Sequence, residues 1–178
     1  MLTEEELLEH GIDSTRKANL LKLAAYLRKL DREKFHMDRF YEYYENDTNQ
    51  QSISLTPDLL EFHDTEPNHC GSVACAVGCG PAAGIPVDES DADCWETYSG
   101  RVFIRTNLDI NLTNQILANR TWAFLFSGSW SRFDNSPTGA AERIEFVLEN
   151  GLKDIWDDSL TIYDFFASLY KNALPYKK

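Results

Sequence analysis

Between Asn68 and Pro86 the chain reads N-H-C-G-S-V-A-C-A-V-G-C-G-P-A-A-G-I-P, and no other stretch constrains the fold as much. It holds three of the four cysteines, four of the nine glycines, two of the six prolines and a histidine. Residues this small let backbones approach closely. A thiol in the first turn of a helix lies near unpaired backbone N–H groups, which favour the thiolate. The stretch is expected to form a helix from about Cys70 to Cys79, begun at Asn68 or His69 and ended by Gly80-Pro81. Such a helix should be central, with its neighbours packed closely against it.

The remainder reads mainly as amphipathic helix. Leu20, Leu23, Ala24, Leu27 and Leu30 follow the i, i+3, i+4, i+7 spacing over 14–30, with Ser14 as the expected N-cap. A short acidic helix from Thr3 to His10 should precede it and stop at Gly11. Phe35 to Tyr41 is aromatic-dense and suits packing. Residues 42–57 are polar and turn-prone and are expected to be a flexible loop. Trp95 to Thr106 alternates loosely around Tyr98-Ser99-Gly100, which predicts a small β-hairpin. From Asn111 the chain reads as helical again, through Ile116 to Phe126, with Gly128 just beyond the end. Ser136-Pro137 starts another, with Ala140, Ile144, Val147 and Leu148 on one face and Asn150-Gly151 closing it. A last helix is expected over about Leu160 to Asn172, where Ile162, Phe165, Phe166, Leu169 and Tyr170 form one stripe. The fold class is therefore mainly α: a single compact helical domain over 1–178 with a small β-hairpin element.

Composition narrows the possible functions. Ten Phe, eight Tyr and four Trp give the 178-residue chain material for a core without disulfide staples. A net charge of −12 makes the average surface repel nucleic acid and anionic lipid, so direct binding of either is not expected. The same charge could attract a basic partner. The N-terminal M-L-T-E-E-E-L-L-E-H lacks a basic start and an apolar core, so no secretory leader is read there. No run approaches the ~18 apolar residues of a membrane span. Reduced thiols and a cytoplasmic location follow as expectations.

Several constellations could carry chemistry. Cys70 is a candidate nucleophile with His69 or His63 as base, Asp64 or Glu66 orienting the histidine, and the Gly71 and Ser72 amides as oxyanion donors. Against it stands packing, since free cysteine behaves as a small hydrophobe and Cys75 and Cys79 share a face at i, i+4. His63, His69, Cys70, Cys75, Cys79 and Cys94 have zinc-ligand chemistry, but their spacing matches no ribbon or finger. No metal or cofactor is assigned, and a zinc-stabilised fold stays an alternative. Gly78-x-Gly80 lacks the lysine of a phosphate loop, and Pro81 removes an amide. The acidic loop 88–93 reads as solvated. Trp122 to Phe133 reads as a core helix followed by a packed turn, and Arg132 and Arg143 as surface partners of Asp134 and Glu142.

Cys70-Gly71-Ser72-Val73-Ala74-Cys75-Ala76-Val77-Gly78 resembles a C-G-[TS]-V-A-C-x-x-G pattern of bacterial and bacteriophage proteins to which no activity is assigned. Phe35-His36-Met37-x-x-Phe40 is similar to an upstream aromatic–Asp–Met segment of that family, with His36 where Asp is commoner. Trp122-x-Phe124-Leu-Phe126 and Thr138-Gly-Ala-Ala-x-Arg-Ile144 are similar as well. The resemblance implies a phage or bacterial cytosolic origin. It implies no function. The lack of a complete catalytic set, the surplus negative charge and the compact size give as first reading a non-catalytic accessory protein that binds another protein. The resemblance makes a host factor the natural partner. A cysteine-dependent hydrolase or transferase using Cys70 is the alternative reading, and a zinc-stabilised structural domain the third.

Overall fold

The computed structural model describes residues 2–37, 41–43, 51–52, 72–88, 91, 95–106 and 112–152. Among them the architecture is mainly helical. Helix α1 (Glu4–Glu9) starts at a capping box. The Thr3 amide donates to Glu6 Oε2 at 2.7 Å and the Glu6 amide to Thr3 Oγ1 at 3.2 Å. Each bond satisfies a donor that the first turn leaves open. Glu4, Glu5 and Glu6 also suit the positive end of the helix dipole. The helix stops at Gly11, whose φ is +75°. A Cβ there would lie 2.5 Å from the Arg105 carbonyl oxygen, so glycine is required on two counts.

Helix α2 (Ser14–Leu27) buries Leu20, Leu23, Ala24 and Leu27, the stripe the spacing predicts. Its N-cap is Asp13, one residue before the expected Ser14: Asp13 Oδ1 accepts from the Arg16 amide at 2.8 Å. The carboxylate also pairs with the Arg16 guanidinium, which a serine hydroxyl cannot do so strongly. The helix ends before Leu30 because the chain tightens there, with Lys29 N donating to Tyr26 O and Leu30 N to Leu27 O. A 3₁₀ turn (Arg32–Lys34) follows, and Phe35 and Met37 enter the core.

The helix expected at Cys70–Cys79 does not form. Ser72–Ala74 (β3) is extended and pairs antiparallel with Tyr41–Tyr43 (β1), which also pairs with Gln51–Ser52 (β2). Beyond β3 the chain turns repeatedly, through Cys79 N to Cys75 O, Gly80 N to Val77 O and Ile85 N to Gly80 O. Gly78, Gly80 and Pro81 within ten residues remove the helix propensity the reading assumed. Centrality survives the correction, since residues 75–80 are all buried. Of the loop expected at 42–57, positions 42–43 and 51–52 belong to these strands, and the rest lies outside the described residues.

The β-hairpin expected at 95–106 is also corrected. Trp95–Val102 is helix α3, ending in a turn at Phe103. Tertiary bonds hold it in helical register. Tyr98 OH donates to Ile85 O at 2.8 Å and Trp122 Nε1 to Ser99 Oγ at 3.0 Å. At its C-terminal end Arg16 Nη2 donates to Gly100 O and Asn19 Nδ2 to Val102 O, satisfying carbonyls the helix leaves open.

Helix α4 (Leu112–Phe126) begins where the chain is expected to turn helical again, from about Asn111. Gly128 does not terminate it in the left-handed region; Ser127 caps a 3₁₀ turn, Gly128–Arg132, by accepting from the Ser129 amide. That turn carries Trp130 into the core against Phe124, ring to ring at 5.6 Å and 84°. Helix α5 (Pro137–Asn150) has Ser136 as N-cap, Pro137 at its first position and Gly151 (φ +69°) after it, as expected. Helices α2 and α5 make the most extensive helix–helix contact. Ala140, Ala141 and Ile144 are buried on α5, and small residues at a contact shorten the distance between helix axes. The helix expected at Leu160 to Asn172 lies outside the described residues.

Candidate functional site

Three buried polar clusters and one exposed acidic face stand out among the described residues. The first cluster corrects the surface pairing expected for Arg143. Its side chain is wholly buried, with the guanidinium carbon 4.3 Å from the centre of the Trp130 ring and Nη1 3.4 Å from Asp134 Oδ2. Ser136 Oγ donates to Asp134 Oδ1 at 2.6 Å while accepting from the Gly139 amide at 3.0 Å. The helix cap and the ion pair therefore share one carboxylate. Gly139 lies directly beneath it, and any Cβ would overlap the Asp134 carboxylate. Glu142, one residue before Arg143, has its carboxyl raised by burial; nearby Arg28 opposes this and Asp134 adds to it. Arg132 is exposed, as read.

The second cluster overturns the solvated reading of loop 88–93 at one position. Asp91 is fully buried and accepts from Arg101 Nε at 3.0 Å and from Nη2, and Asp91 Oδ2 takes the Asp88 amide at 2.9 Å. The hydrogen bond to Asp91 holds the Arg101 guanidinium above its usual pKa, against desolvation. Arg101 Nη2 also donates to Pro86 O at 3.0 Å. Loop and helix α3 are thereby tied together. Asp88 is exposed.

The third cluster is His10, buried at the end of α1, with Nδ1 2.8 Å from Thr121 Oγ1. Thr121 spends its one hydroxyl proton on Leu117 O at 2.8 Å, so its oxygen accepts and His10 Nδ1 carries the proton. The other ring nitrogen, Nε2, faces Gly151, 2.7 Å from where a Cβ would stand.

The thiols divide. Cys75 and Cys79 are free and buried, and burial, with Cys75 nearby, pushes the Cys79 thiol well up. A thiol held protonated is a poor nucleophile, so Cys79 fits the packing role, and Cys75 fits it by its burial. Cys70, His69, His63 and Cys94 lie outside the described residues, so the proposed nucleophile and its bases are not brought together here. Among the described residues no three His, Cys, Asp or Glu side chains are grouped to hold a metal ion. No described helix is long and apolar enough to cross a membrane.

On the outside, α1 presents Glu4, Glu5 and Glu6 to solvent beside Leu8, which is 51% exposed. Leu112 and Ile116 at the start of α4 are exposed too. The sequence marks α1 as acidic and pairs Arg143 with Asp134, but gives no sign that Arg143 and Asp91 are buried or that His10 has a role. Nothing local distinguishes these from other charged residues, because each is fixed by a partner brought in by the fold.

The class these observations define is a mainly α fold whose core is pinned by buried polar pairs. Comparison with known proteins adds no relative: no protein-family profile matches the chain, and neither a curated protein nor a solved structure is significantly similar to it.

Proposed function

We propose that this chain is a non-catalytic accessory protein of phage or bacterial origin that acts in the cytoplasm by binding a basic protein. The observation that carries the reading is the exposed face of α1, where Glu4 and Glu5, four and three residues before it, flank the half-exposed Leu8. Carboxylates beside an apolar anchor steer a basic partner to the surface and give it something to bury. The resemblance read in the Cys70–Gly78 segment to a bacterial and bacteriophage pattern would make a host protein the natural partner class. The burial of Cys75 within that segment, and of Cys79 just after it, supports a packing role for both.

The test is affinity capture from bacterial lysate, with the captured protein identified and then re-bound in pure form. Glu4→Lys, Glu5→Lys and Leu8→Ser are combined, leaving Glu6 in place because its side chain closes the capping box. Binding of a basic protein that weakens about tenfold or more in this variant and falls steeply with salt supports the reading. Retained binding in the variant, at an unchanged melting temperature, overturns the role of α1. Loop 88–93 is probed separately through Asp88→Lys. Asp91 is spared, since reversing a buried paired carboxylate unfolds the loop whether or not a partner exists.

A further inference from the structure

We draw no further inference here: the strongest candidate, the exposed apolar pair Leu112 and Ile116 one turn apart at the start of α4, carries nothing because no feature of the described residues shows what covers it.

Discussion

The guanidinium of Arg143 sits over the Trp130 ring, its carbon 4.3 Å from the ring centre, and reaches Asp134 without exposing any of its side chain. A cation so placed exchanges its hydration for a ring face and a carboxylate. Arg143→Ala should cost about 3–5 kcal/mol in urea unfolding, because it strands a largely buried Asp134 and empties the space over Trp130. Arg143→Met with Asp134→Asn removes both charges and should recover at least half of that loss. A double variant no more stable than Arg143→Ala would show that charge desolvation is not the main cost.

Two glycines in close-packed positions and one in open space give a sharp contrast. A Cβ at Gly80 would run into the Tyr98 hydroxyl, which is anchored on Ile85 O, and into Phe103. Gly80→Ala should therefore destabilise by ~1–3 kcal/mol, with Gly139→Ala at least as costly. Gly100 sits inside α3 with nothing within 4 Å of its Cβ position. Gly100→Ala should raise stability by ~0.5–1 kcal/mol. Thermal melts of the three variants check the order.

Across the α2–α5 contact, Arg28 Nε donates to Glu145 Oε1 at 2.8 Å. The hydrogen bond from Arg28 holds the Glu145 carboxyl below the ordinary 4.5. A depressed carboxylate stabilises above its unfolded pKa, and that contribution fades as pH falls through the folded value. Both side chains are more than a third exposed, so Glu145→Gln should cost only ~0.2–1 kcal/mol at neutral pH and nothing in acid. Glu142 has the opposite sign. Its raised pKa favours the folded state below 4.5 and the advantage is lost as pH rises, so Glu142→Gln should be slightly more stable than the parent at neutral pH. Denaturation curves at several pH values, in which the two variants diverge upward from acid, test both signs.

Thiol accessibility separates packing from chemistry within one motif. Under limiting iodoacetamide at neutral pH, Cys75 and Cys79 should stay unmodified until the protein unfolds. Mass spectrometry of native protein should find label at Cys70 and Cys94 alone, if at any cysteine. Early modification of Cys79 contradicts its burial. Fast, selective modification of Cys70 with a depressed apparent pKa would favour the hydrolase reading over accessory binding.

Helices α2 and α5 were legible because their buried faces repeat at helical spacing and their ends carry strong local signals, such as Ser136-Pro137 and Gly151. Legibility failed where tertiary partners outvote local pattern. Tyr98-Ser99-Gly100 looks like the turn of a hairpin until Ile85, Trp122 and Arg16 are seen holding it in a helix. Val73 and its small neighbours look helical until β1 pairs with them. Asp91 is indistinguishable in sequence from its acidic neighbours, and only Arg101 decides that it is buried. The candidate catalytic set is a different matter, since Cys70, His69 and His63 fall outside the described residues and rest on sequence alone.

The pinning of His10 on Thr121 and against Gly151 has a bearing on synthesis. His10 and Thr121 are 111 residues apart, and Gly11 meets Arg105 and Ala118. Helix α1 therefore leaves the ribosome long before any of these partners exists, and six residues are too few to hold a helix in water alone. At ~5–20 residues per second it waits several seconds for α4 and longer for the end of α5. Residues 4–11 therefore acquire their native contacts only after a stretch of more than a hundred further residues has been made.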